Sequence, residues 1–283
     1  MTTILQTAEW IESHLNQKIN SYLLEEISGY TSRHLHTLFK KYIGTSVANY
    51  IRCRKLTLAS VMLRETSRTA TEIALMYHFD HLQTFSRAFK KQFGLSPLQY
   101  SKANYWDMRL YYPSAIVHPF NYIAQNIKIT ENIYISPSKI ISYKIDYGYN
   151  FLISAKDNKI NSYPKIYQDC INLIFSNHSH KTFIAFGEIL PGKNCDSIIN
   201  IYTGQITSDD NRAELLPIPK GNYCCFTYVG TPHEIMPFLS WAKGHGMYYL
   251  RKFLKKGPSF TIFSETNISG KYVARCHIPC LDQ

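Results

Sequence analysis

The sequence contains no apolar run approaching the ~18 residues that a bilayer-crossing helix needs. Its first twenty residues, MTTILQTAEWIESHLNQKIN, lack the basic start and apolar block of a signal peptide and carry Glu9 and Glu12 in a helical pattern. A cytoplasmic protein with no membrane partner is expected. Cysteine is scarce and odd in number: seven in 283 residues, scattered from Cys53 to Cys280, which does not form a disulfide framework. The one cluster, Cys276-His277-Ile278-Pro279-Cys280, has no second Cys/His pair at the spacing of a four-ligand zinc site. Neither a metal nor a cofactor is expected. Acidic residues are also few, 20 Asp and Glu against 31 Lys and Arg.

The resulting charge of +11 and pI near 9.2 suggest a polyanionic partner. Residues 1–110 hold 14 Lys/Arg against 8 Asp/Glu, net +6, and residues 111–283 hold 17 against 12, net +5. The excess is denser in the shorter N-terminal part. At 283 residues, with 45% hydrophobic and 14% aromatic content, the chain can build two packed domains.

The N-terminal part contains one unit twice. At an offset of 50 residues, Phe39-Lys40-Lys41-Tyr42-Ile43-Gly44-Thr45-Ser46 aligns with Phe89-Lys90-Lys91-Gln92-Phe93-Gly94-Leu95-Ser96, and Tyr50 with Tyr100. Two copies do not make a solenoid, so duplication of a supersecondary unit is the simpler account. In the first copy, Leu23, Leu24 and Ile27 predict a short helix, Gly29 permits a tight turn, and Thr31 or Ser32 is the expected cap of a second helix running to Gly44. Its apolar stripe is Leu35, Leu38, Phe39 and Tyr42. In the second copy a helix from about Glu72 to Tyr77 turns at His78-Phe79-Asp80, with Asp80 as expected cap. The following helix carries Leu82, Phe85, Phe89 and Phe93 inward until Gly94 and Pro97 stop it. Between the copies, Val47 to Leu63 has no Gly or Pro and reads as one long connecting helix. Such a linker fixes the separation of two helix-turn-helix units, which enter successive major grooves if they lie ~34–36 Å apart.

The outward faces carry the chemistry. Arg33 and Arg87 can donate bidentate hydrogen bonds to guanine, Gln83 can pair with adenine, and His36, Thr37, Thr84 and Ser86 can bond base edges or phosphates. Ser32, Lys40, Lys41, Lys90 and Lys91 are assigned as phosphate contacts, which orient a protein without reading sequence. A solvated helix face explains any one of these residues equally well. The duplication favours a DNA groove.

The stretches GYTSRHLHTLFKK, SVANYIRCRKL and FDHLQTFSRAFKKQFGLSP resemble the DNA-binding domain of AraC/XylS-type transcription regulators, especially the monomeric MarA/SoxS/Rob group. The resemblance implies an activator that binds degenerate sites in double-stranded promoter DNA as a monomer, with RNA polymerase as a further partner. It places base-reading residues at Arg33, His36 and Thr37 in the first recognition helix and at Gln83, Thr84, Ser86 and Arg87 in the second. Two departures stand out: the relatives have Trp, Gln and Arg where this chain has Arg33, His36 and Thr37, which implies different preferred bases, and His78 replaces a turn glycine.

After an expected linker at 111–128, the period changes. KIISYKIDY, TFIAFGEI, SIINIYTGQI, NYCCFTYVG and KYVARCHI read as strands, with helices near Tyr163–Phe175 and Pro232–Trp241. The expected fold class is therefore multidomain: an all-α domain at 1–110 with two helix-turn-helix units joined by a long helix, and an α+β domain at 129–283 with a curved, mostly antiparallel sheet. The segment PIPKGNYCCFTYVGTPHEIMPFLSWAKGHGM, with KKGPSFTIF and the final strand, is similar to GyrI-like effector-binding domains. That resemblance implies a hydrophobic cleft lined by Tyr223, Phe226, Tyr228, Trp241, Thr261 and Phe263, all of which read equally as core. Thr261 stands where relatives that bind cations have a carboxylate. A neutral or anionic amphiphile is the expected effector, because a buried cation there would lack its counter-ion. Two other readings of this domain are a protein-docking module without ligand and a small-molecule hydrolase. No nucleophile and base at suitable spacing supports the latter, so no enzyme activity is expected.

Overall fold

Residues 2–116, 120–145, 165–176, 182–192, 197–207 and 215–281 are described in a computed structural model of the chain. Helices α1 (Thr2–Ser13), α2 (Ser21–Ser28), α3 (Ser32–Ile43), α4 (Val47–Glu65), α5 (Ala70–Met76), α6 (Leu82–Phe93) and α7 (Pro97–Lys102) occupy the N-terminal part. The remainder is built mainly of strands: β1 (Tyr105–Asp107), β2 (Ile123–Ile129), β3 (Ile133–Ile145), β4 (Thr182–Pro191), β5 (Ser197–Thr207), β6 (Leu216–Ile218), β7 (Gly221–Gly230), β8 (Phe253–Lys255), β9 (Ser259–Glu265) and β10 (Tyr272–Leu281). Helices α8 (Lys165–Phe175), α9 (Pro232–Trp241) and the short α10 (Met247–Tyr249) are interleaved with them. Asp146 and Tyr147 of the expected KIISYKIDY strand, Tyr163 of the expected helix, Pro119 of the linker and Cys195 lie outside the described residues.

The chain divides into two compact units. The first takes in Met1–Arg64, Arg68–Lys102 and Leu110–Pro119, and the second Glu65–Ser67, Ala103–Arg109 and Phe120–Gln283. The sequence reading has one crossing, at 111–128. Instead, β1 pairs antiparallel with β8 and β2 with β7, so both stretches belong to the second unit.

In the first unit, Leu35, Phe39, Tyr50, Phe85, Phe89 and Phe93 are buried, as their helical spacing requires. Leu82 and Tyr42 of the expected stripes are instead exposed, at 38% and 43%. Helix α4 is more than a connector. It buries Leu56, Leu58, Ala59 and Leu63 together with Arg54, Lys55, Thr57 and Ser60, so the helices pack around it on several sides. A bidentate ion pair ties it to α1, with Arg54 Nε and Nη2 at 2.8 and 2.9 Å from the Glu12 carboxylate. Tyr50 donates its hydroxyl to Glu12 at 2.7 Å and accepts the Ala115 N–H at 3.0 Å.

In the second unit, the strands run in the order β1-β8-β10-β9-β4-β5-β3-β6, with β7 on β10 and β2 on β7, and the pairings among described residues are antiparallel. Each sheet face carries its own core. Helices α8 and α9 bring Cys170, Ile174 and Ile235 onto Phe183, Ile199 and Phe263, while a second cluster joins Ile135, Ile184, Phe186, Tyr223 and Phe260.

Candidate nucleic-acid interface

The two copies fold alike. Asn20 caps α2 by accepting the Leu23 N–H at 2.9 Å, and Gly29 ends it at φ 69°, the left-handed region glycine enters without steric cost. Helix α3 follows after a short turn. Thr31 occupies its N-cap without a side-chain bond; the Ser32 N–H is taken by Glu25 of α2 at 2.6 Å instead, leaving the Ser32 hydroxyl outside the cap. In the second copy, Thr69 and Glu72 form a reciprocal capping box on α5. His78 sits at φ 56° in the turn, held by a 3.0 Å hydrogen bond between Nε2 and the Asn16 carbonyl. The expected cap at Asp80 is displaced by one residue to His81, which makes no side-chain cap bond. Helices α3 and α6 both end on left-handed glycines, Gly44 at φ 86° and Gly94 at φ 75°.

This alignment puts equivalent residues on equivalent faces. Arg33, His36, Thr37, Lys40 and Lys41 are exposed on α3, and Gln83, Thr84, Arg87, Lys90 and Lys91 on α6, with Ser86 half-buried beside them. Among the described residues, none of Arg33, Lys40, Lys41, Arg87, Lys90 and Lys91 pairs with a carboxylate. Lys41 lies 5.3 Å from the ring centre of the exposed Tyr42, and Thr37 donates its hydroxyl to the Arg33 carbonyl at 3.1 Å. The basic residues in the last turns also match the negative end of each helix dipole. Each face thus presents an arginine flanked by amide, hydroxyl or imidazole groups and followed by two lysines.

Sequence reasoning passed over Lys55 and Arg52. Lys55 is buried, its ammonium donating to the Gln17 and Tyr77 carbonyls at 3.0 Å each, and burial pulls its pKa down to about 8. A lone lysine within a long helix carries no sequence signal for this.

Of the six residues expected to line an effector cleft, the strand register puts Phe226, Tyr228, Thr261 and Phe263 on one sheet face, with Trp241 packed on Phe226, and Tyr223 on the other. On β7 the side chains alternate, which sends Tyr223 to one sheet face and Phe226 and Tyr228 to the other. Tyr223 packs on Phe260, while Phe263 stacks on Phe183 in the opposite core. Phe226 and Phe263 are fully buried. Trp241 belongs to an aromatic cluster with Phe120, Phe226 and Phe238, and its buried Nε1–H has no hydrogen-bond partner among the described residues. Thr261, also buried, lies opposite Cys276 in the strand register, and burial pushes the Cys276 thiol up to about 12. Among the described residues no group of three or more His, Cys, Asp or Glu is placed to hold a metal ion, and no helix is long and apolar enough to cross a membrane.

Two capped helix pairs with matching basic faces define a DNA-binding module. A helix-turn-helix domain model matches residues 24–103. The chain is 43% identical over 110 residues to the Transposon Tn10 TetD protein of Escherichia coli, covering 38% of this chain and 78% of TetD. It is 28% identical over 263 residues to the right origin-binding protein of Escherichia coli (strain K12), covering 88% of this chain and 85% of that protein. YkgA, also of strain K12, is 39% identical over 112 residues, 40% of this chain, and the chain spans 47% of that relative's length. The chain belongs to the AraC/XylS family of helix-turn-helix proteins, and is a DNA-binding transcriptional regulator of the Rob-like kind.

Proposed function

We propose that the protein binds degenerate promoter sites as a monomer, inserting α3 and α6 into successive major grooves, and activates transcription together with RNA polymerase. In this reading Arg33, His36 and Thr37 read bases in one half-site and Gln83, Thr84, Ser86 and Arg87 in the other, while Ser32, Lys40, Lys41, Lys90 and Lys91 hold phosphates. The observation that carries it is the repetition of one exposed cationic face at equivalent positions of two capped helix pairs. The second unit then controls the availability of the first, through an amphiphile or a docked protein.

Selection of bound duplexes from a random pool by the full chain tests the reading. The expected product is a bipartite motif whose half-sites lie about one helical turn apart. Arg33→Ala then costs ~1–3 kcal/mol and relaxes preference at one base, whereas Lys40→Ala weakens all sequences alike and lowers the salt slope by about one. Recovery of no motif, or loss of affinity in both variants without a change in base preference, refutes the assignment.

A further inference from the structure

The second unit carries a cationic face of its own. Between Glu234 and Glu265 the chain has no acidic residue and five basic ones, Lys243, Arg251, Lys252, Lys255 and Lys256. Antiparallel pairing of β1 with β8 sets Tyr105 opposite Lys255 and Asp107 opposite Phe253, with Trp106 and Leu254 buried on the inner side. Hydrogen bonds from the Lys256 N–H to the Asn104 carbonyl, 2.7 Å, and from the Met108 N–H to the Lys252 carbonyl, 3.0 Å, extend the ladder at both ends. A two-stranded ribbon therefore presents its outer side chains on a fixed backbone.

That outer side is mostly positive. Its acid, Asp107, is taken up by Arg109, whose Nε and Nη2 donate to the carboxylate at 2.8 and 2.6 Å while the guanidinium lies 4.9 Å from the Phe253 ring centre. Arg251 stands within electrostatic reach of the same carboxylate. Lys255 and Lys256 are exposed, and among the described residues neither pairs with a carboxylate. Arg251 adds a backbone argument. It sits at φ 54° just after α10, its N–H on the Tyr248 carbonyl and the Lys252 N–H on the Met247 carbonyl, the position that glycine commonly holds at a helix end. Arginine is strained there and glycine is not, so the turn holds a guanidinium on this face against the backbone preference.

A row of phosphates fits this chemistry. A single strand needs open rings for its bases, but the Phe253 ring is covered by Arg109 and meets Tyr105 edge-on at 6.3 Å, which leaves only Tyr105, 54% exposed, as an open ring on the ribbon. Charge without a stacking platform suits the backbone of a duplex. Twelve residues separate the end of α6 from the start of β1, a reach of at most about 40 Å for any arrangement of the two units, or roughly twelve base pairs.

We infer that the β1–β8 ribbon is a second DNA contact, in which Arg251, Lys255 and Lys256 hold phosphates of the duplex flanking the half-site at α6. The inference rests on the reading of α6 as a recognition helix.

The test uses the full chain carrying both Lys255→Ala and Lys256→Ala, exposed positions where the urea midpoint should stay unchanged. On a duplex that extends about fifteen base pairs beyond the α6 half-site, the double variant should bind at least about fivefold more weakly than the wild type at about 100 mM salt, with a salt slope smaller by about two. On a duplex that stops at the edge of that half-site, the two proteins should bind alike. Replacing both lysines by arginine should keep the wild-type slope. Equal binding of wild type and double variant to the long duplex overturns the ribbon contact, as does a loss that is the same on both duplexes or confined to single-stranded DNA. Failure of the two readings is separable. A long random-sequence duplex still shows the smaller slope if selection yields no motif, whereas a bipartite motif without any flank dependence leaves α3 and α6 in place and removes the ribbon.

Discussion

Glu12 and Arg54 meet almost completely out of water, their side chains 6% and 3% exposed. Burial opposes the arginine's charge, but the Glu12 carboxylate outweighs it and holds the guanidinium above its ordinary range. Burial and Glu12 together raise the Tyr50 phenol, which therefore stays neutral and donates to Glu12. Removing one partner leaves the other charge buried and unpaired. Glu12→Ala should therefore lose ~3–5 kcal/mol of unfolding free energy in urea, well above the ~0–1 kcal/mol of a surface pair. Lys55 gives a pH dependence of opposite character to a stabilising pair. Its folded pKa, about 8, lies below the ordinary 10.5, so the unfolded chain binds more protons between those values and stability rises with pH across that window. Relative to Lys55→Met, the wild type should gain on the order of 1–2 kcal/mol between pH 8 and pH 10, read from urea midpoints. A difference that falls with pH contradicts this account. None of these partners is legible from sequence, because Glu12 and Arg54 lie 42 residues apart and Lys55 and Gln17 lie 38 apart.

At the scale of the element, the turns decide how the two copies differ. Gly29 takes the left-handed conformation at no steric cost, whereas His78 does so with a side chain and is held by the Asn16 carbonyl. His78→Gly relieves the strain but loses the bond, and should change stability by less than about 1 kcal/mol. His78→Ala keeps the strain and loses the bond, so it should be destabilised by about 0.5–1.5 kcal/mol. The pair of variants, compared by thermal or urea unfolding, isolates the backbone contribution. Gly29 and the helical periods were readable in the chain, because 3.6-residue spacing and positive-φ glycine are local rules, whereas His78 stood out only through the resemblance to the family. The cap of α6 was not readable, and at α3 Thr31 stands at the N-cap as expected but makes no side-chain bond. Thr31 and Asp80 are residues of the right type, but Glu25 reaches the first turn of α3 from the preceding helix, and the chain enters α6 one residue later at His81. Local propensity names the candidate donors and acceptors; packing chooses among them.

For the whole molecule, the spacing of the two basic faces is the testable quantity. Helix α4 runs unbroken from Val47 to Glu65 and is buried over several turns, so it cannot bend freely to follow a changed site. Inserting about five base pairs, half a helical turn, between the selected half-sites should cost at least tenfold in affinity, and inserting a full turn should not restore it. Equal affinity for all spacings, measured by gel shift, argues for a single functional recognition helix.

The sequence by itself determined the duplicated helical unit, its turns, its long central helix and the cationic faces of α3 and α6. All of these follow from residues within a few positions of one another, or from a 50-residue repeat visible by alignment. It also marked β4, β5, β7 and β10 by their β-branched and aromatic content. Only the tertiary structure decided that β1 and β2 leave the expected helical domain and linker to join the sheet, since three- and seven-residue strands become strands by pairing with β8 and β7. It likewise sent Tyr223 away from Phe226 and Tyr228, and set a lysine from α4 against the Gln17 and Tyr77 carbonyls. Those outcomes depend on which distant segments share a face, and strand pairing and helix packing settle that through contacts the linear order does not contain.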